Sequence, residues 1–195
     1  MLTTFENDLK AVIGHPTTLR PFVCNGSPLD CTVFLVGLNP ATKLKAGFWD
    51  FWVPGVGFDR EAWFKTYVDE RVAAGPNPGK TRVTKASRTR RLINHMIEGA
   101  GSVKVLETNI YSTEKASLSD LHPNEKETAP FDFLLGRIKP RLLVAFGIDA
   151  HRHLAKQKLD AKVLEIPHFA DREAGWSNDK AFKLGEQVKV FVGTA

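Results

Sequence analysis

Asn39, Asn109 and His168 each fall within three residues of the end of a short apolar run. They lie in the segments Gly37-Leu38-Asn39-Pro40-Ala41-Thr42, Glu107-Thr108-Asn109-Ile110-Tyr111-Ser112-Thr113 and Pro167-His168-Phe169-Ala170. An asparagine amide is donor and acceptor at once, so Asn109 can pair with the edge of a planar ring that presents a carbonyl oxygen beside an N–H. A histidine N–H can hold a carbonyl oxygen that turns negative as a ring departs as an anion. None of the three is a carboxylate, which suits a neutral ligand. Singly, each has a plainer role: Asn39-Pro40 makes a turn, Asn109 can cap a loop, and a histidine after a strand is more often structural. Their joint position at corresponding run ends carries the chemical reading.

Two further segments bear on such a site. Gly47-Phe48-Trp49-Asp50-Phe51-Trp52 puts four aromatic rings into five consecutive positions. Rings of this kind stack on an extruded or single-stranded base for roughly 1–3 kcal/mol, or they plug the core beneath a loop. The stretch from Lys80 to Arg91 carries Lys80, Arg82, Lys85, Arg88, Arg90 and Arg91 at the approach to a helix. Phosphate binding and a solvated basic face both account for it.

The elements that must position these groups follow from the apolar pattern. Thr32 to Val36, Val103 to Leu106, Arg141 to Phe146 and Lys162 to Ile166 read as strands. The first and third lack polar alternation, as expected of strands covered on both faces. Helices are expected over Asp59 to Ala73, Ala86 to Gly99, Pro130 to Lys139 and Asp149 to Gln157, with Gly99 and Gly101 punctuating the second. Ala74 to Ser87, with two prolines and two glycines, reads as a loop, and the last apolar run, Val188 to Val192, as an edge strand. The alternation predicts an α/β fold: a three-layer α/β/α sandwich around a central, mainly parallel four-stranded sheet, in one domain over 1–195. In such a sheet the carboxyl ends of the strands carry the ligand site, where the three polar residues fall.

Composition sets the outer limits. The chain has 195 residues, 43% hydrophobic and 25% charged, which is enough to bury a core and excludes a disordered or fibrous class. A net charge of +5 favours an anionic partner such as nucleic acid. Cys24 and Cys31 are too few for a disulfide framework, a four-thiolate zinc site or a thiolate-held iron–sulfur cluster, and read as inert thiols. No apolar run approaches the ~18 residues of a membrane span. The first residues, Met1 to Lys10, do not resemble a secretory leader, so a cytoplasmic location is expected.

With these segments in hand, the chain resembles the uracil-DNA glycosylase superfamily. Gly37-Leu38-Asn39-Pro40 is similar to the first motif of the mismatch-specific uracil/thymine and single-strand-selective branches, in which an Asn replaces the water-activating acid of other branches. Gly47-Phe48-Trp49 resembles the base-stacking segment, and Thr108-Asn109 the strand end that reads the base. Ser87-Arg88 with Arg91-Leu92 resembles the polar helix start, and Pro167-His168 the last motif. The similarity spans Val33 to Trp176, and it departs at Ala41, where Gly is frequent, and at Phe169-Ala170, where a Pro-Ser-like pair is often found.

The resemblance implies a monofunctional DNA glycosylase that removes a deaminated or damaged base, uracil foremost, as a monomer without metal or cofactor. It assigns Asn39 to the water and His168 to the leaving base. Asn109, Phe48, Gly37 and Leu38 would form the base pocket. Lys85, Arg88, Arg91, Phe169 and Arg172 would contact DNA, the last two from a loop that enters the minor groove. Two alternatives remain open at this level. One is a non-catalytic binder of nucleic acid or free bases. The other is a small-molecule hydrolase of nucleoside-like substrates, with His168 and Asp171 as acid and base.

Overall fold

The computed structural model describes residues 1–76, 79–115 and 117–193, so part of the expected loop Ala74 to Ser87 lies outside the described residues. Its strands are β1 (Phe22–Val23), β2 (Val33–Gly37), β3 (Trp52–Val53), β4 (Gly57–Phe58), β5 (Val105–Asn109), β6 (Leu142–Phe146) and β7 (Lys162–Ile166). The helices are α1 (Leu2–Ile13), α2 (Arg60–Ala73), α3 (Arg88–Ala100), α4 (Ala129–Ile138), α5 (Ile148–Leu154) and α6 (Asn178–Gly193). No helix among the described residues is long and apolar enough to cross a membrane.

The central sheet has five strands in the order β1-β5-β2-β6-β7, not the four expected. Four are parallel, and β1 adds an antiparallel edge by pairing Phe22 with Thr108 and Val23 with Glu107. Two residues are too few to stand out as an apolar run. The Thr108 hydroxyl donates to the Pro21 carbonyl at 2.7 Å and fixes this edge. β3 and β4 form a separate antiparallel pair.

Period-two alternation sends successive side chains of each central strand to opposite layers. Phe34, Val36, Leu106, Leu143 and Ala145 pack in the layer that includes α1, α2 and α4. Val33, Leu35, Val105, Leu142 and Val144 pack in the layer of α3 and α6. Every residue of β2 and β6 is buried, which is why neither run carries a polar stripe.

The second layer corrects two expectations. Val188 to Val192 belongs to α6, where Ala181, Leu184, Gly185 and Val188 form a buried helical stripe. Five apolar residues are too short a window to separate period two from period 3.6. Gly99 lies inside α3 and does not end it; Gly101, at φ 62°, is the residue that closes the helix. A Cβ on Gly99 would sit 2.0 Å from the Phe182 carbonyl oxygen, and one on Gly185 2.0 Å from that of Met96. The α3–α6 crossing is therefore backbone against backbone.

Candidate functional site

β2, β5 and β7 run parallel, and their carboxyl ends deliver Asn39, Asn109 and His168 to one side of the sheet. All three line a cleft of about 600 Å³, with Leu38 and the start of α5. The loops after β2 and β5 are zipped together. Ile110 N–H donates to the Gly37 carbonyl at 3.0 Å, Tyr111 to Leu38 at 2.9 Å and Lys115 to Pro40 at 2.9 Å.

Asn39 is half-buried between these loops, and its Nδ2 donates to the Lys115 carbonyl at 2.7 Å. That bond fixes the amide plane and leaves Oδ1 as an unused acceptor among the described residues, suited to holding a water. Asn109 pairs with Gly37 in the β2–β5 register. A Cβ at Gly37 would lie 2.6 Å from Asn109 Oδ1 and 2.5 Å from Phe146 Cζ. Gly37 is thus buried beneath the site and makes room for Asn109, rather than lining the cleft itself. The Asn109 amide has no hydrogen-bond partner among the described residues.

His168 is exposed at the rim. Its ring sits 5.3 Å from that of Phe146, and it lies over Gly147, where a Cβ would come within 3.2 Å of its Cδ2. Its Nδ1 accepts from the Ala170 backbone N–H at 3.0 Å. A ring nitrogen that accepts carries no proton, so the neutral imidazole bears its hydrogen on Nε2 and presents a donor. Partial desolvation lowers the His168 pKa, with nearby Asp171 opposing, so the neutral form is favoured.

Other expected site residues stand elsewhere. Phe48 is 4% exposed and does not line this cleft. Its ring stacks on Phe58 at 5.2 Å and meets the edges of Phe22 and Trp49 at 5.0 Å each. It borders a smaller cavity of about 200 Å³. Phe169, expected to reach DNA, is fully buried against Phe146 and Trp176 at 5.4 and 5.0 Å. The reason is a tight turn: Asp171 N–H donates to the His168 carbonyl at 2.8 Å, and the loop folds back with its apolar ring inward. The Arg88 guanidinium is spent on backbone carbonyls of that loop, whereas Lys85, Arg91 and Arg172 are exposed and free of ion pairs among the described residues.

The floor of the cleft is a charged network that the sequence reading missed. Glu107 shares the Asn109 face of β5 two residues earlier. One carboxylate oxygen accepts from Arg60 Nε and Nη2 at 3.3 and 3.2 Å, the other from Arg90 Nη1. Arg60 also donates to Asn94 Oδ1 at 2.8 Å, and Arg90 stacks over Trp63 at 4.7 Å. Burial alone would raise the Glu107 pKa; the Arg90 and Arg60 guanidiniums outweigh it and hold it below the usual range. Arg20, 3.1 Å from Glu114, is lowered to about 10 by desolvation, which Glu114 partly offsets. One signal was readable: an acid within an apolar strand must find a cation.

Among the described residues, no group of three or more His, Cys, Asp or Glu is placed to hold a metal ion. No family model and no curated protein matches the chain.

Proposed function

We propose that the chain is a monofunctional DNA glycosylase that hydrolyses the N-glycosidic bond of a deaminated base, uracil foremost. The observation that carries this reading is the convergence of Asn39, Asn109 and His168 on one cleft, each keeping a polar atom unused by the fold. An extruded nucleotide enters the cleft, and Asn109 pairs with the carbonyl and N–H of its base edge. The C1′–N bond breaks and its electron pair stays with the base. His168 Nε2–H stabilises the negative oxygen that results. Water held by Asn39 Oδ1 adds to the oxocarbenium-like sugar and releases a proton, leaving an abasic site. Asn39 is too weak a base to take that proton early. Most of the barrier reduction therefore comes from anion stabilisation and positioning, and turnover is slow.

Exposed Lys85, Arg91 and Arg172 supply the cationic approach for the phosphates. The protein is read as a monomer that needs no cofactor. The test is single-turnover cleavage of oligonucleotides containing uracil, mismatched thymine or hypoxanthine, followed by alkali. Abasic sites formed by the native chain, and reduced about 10²-fold or more in His168→Ala, support the reading. DNA binding without product on any base would replace it with a non-catalytic binder.

A further inference from the structure

Arg88 opens α3 beside two fixed points. Ser87 caps the helix by accepting from Arg90 N–H at 3.1 Å, and the Ser87 N–H donates to the Tyr67 hydroxyl at 3.2 Å. From this anchored start the guanidinium crosses to the loop after β7. Nη1 donates to the carbonyls of Ala170 and Asp171 at 3.3 and 3.1 Å, and Nη2 to that of Trp176 at 3.0 Å. Three carbonyls gathered by one planar fork fix both ends of the segment 170–176. On its inner side the same loop is held by buried Phe169. The residue whose carbonyl Arg88 grips, Ala170, is the one whose N–H occupies His168 Nδ1.

We propose that Arg88 is a positioning residue: it locks the loop 168–176 so that Ala170 N–H stays on His168 Nδ1, which keeps the proton on Nε2 and aims it into the cleft. Its cation is used inside the protein, not on a DNA phosphate. The consequence for catalysis rests on the glycosylase reading above; the tautomer claim does not. Without the clamp, the Ala170–Asp171 peptide is held only by the Asp171 N–H bond to the His168 carbonyl, the Nδ1 bond loosens, and both neutral tautomers become populated.

The experiment is nitrogen-15 NMR of the imidazole in the native chain and in Arg88→Gln, at a pH where the ring is neutral, with thermal unfolding to check the variant's fold. Native protein is expected to show a single Nε2–H tautomer, and Arg88→Gln a mixture. In single-turnover cleavage, Arg88→Gln is expected to lose about 10²-fold in rate, with DNA affinity and its salt dependence unchanged and with partial recovery in Arg88→Lys. An unchanged tautomer in a folded Arg88→Gln overturns the proposal. So does a salt dependence of DNA binding that falls by about one counterion, the mark of a lost phosphate contact. Should Arg88→Gln fail to fold, the native spectrum decides, since a native Nδ1–H form or an even mixture is incompatible with the clamp. A native chain that cleaves nothing but shows the expected tautomers would remove the glycosylase reading and leave the clamp standing.

Discussion

At the rim of the cleft, Asn39, Asn109 and neutral His168 carry no formal charge, and each keeps a polar atom that the fold has not used. At its floor, Glu107 has both oxygens occupied by Arg60 and Arg90, and Arg20 faces Glu114. The rim is built from groups at strand ends and in the loops after them, each with a polar atom left over, whereas the Glu107 network is built from mutually satisfied charges on β5, α2 and α3. A polar atom already consumed by the fold holds the frame, and one left over is available to a ligand. This distinction separates site from scaffold within a single cavity.

Breaking the floor should cost the most stability. Glu107→Gln leaves two largely buried guanidiniums without their carboxylate, for which about 3 kcal/mol is expected. Chemical denaturation should register that loss directly, with a fall in Tm of roughly 6–12 °C for a chain of this size. A variant as stable as the native chain would mean that the network is not a frame.

Asn39→Ala probes the rim. A loss of about 10²-fold in single-turnover base release, near 3 kcal/mol in the barrier, is expected while DNA affinity holds. Equal losses in rate and affinity would show that the side chain serves binding instead of the water.

Smaller effects follow from pH. His168 has a lowered folded pKa, so its stabilising contribution is complete above the ordinary value of about 6.5 and declines as pH falls from there toward the folded value. Protonating Nδ1 also breaks its bond to Ala170, so base release should drop on acidification, at a pH below that of a free imidazole. A His168→Gln variant measured across the same range should lack that step. The slightest change is expected from exposed Arg91→Gln: unaltered unfolding, with one counterion fewer in the salt dependence of DNA binding.

The rim was legible because its logic is topological. Buried runs such as Val33–Gly37 announce parallel strands, and polar residues just beyond them must fall at one edge. The α/β class was legible for the same reason. Residues whose partners are distant in the chain were not. Arg88 looked like a phosphate ligand because its carbonyl partners lie more than eighty positions away. Phe169 looked like a DNA wedge because burial depends on a turn that its letters do not encode, and Phe48 like a stacking platform because its neighbours Phe22 and Phe58 come from other elements. β1, with two residues, has meaning only beside β5.

The glycine crossing of α3 and α6 bears on the order in which the molecule can be assembled. Synthesis adds Asn39, Asn109 and His168 to the chain before residues 178–193, so every rim group is made while the groove around Gly99 still lacks its partner helix. Arg88 rides on that unseated helix, and its acceptor Trp176 emerges only just ahead of α6. The nascent chain therefore holds the letters of the site well before it holds the site, and the arrival of α6 is the step that converts one into the other.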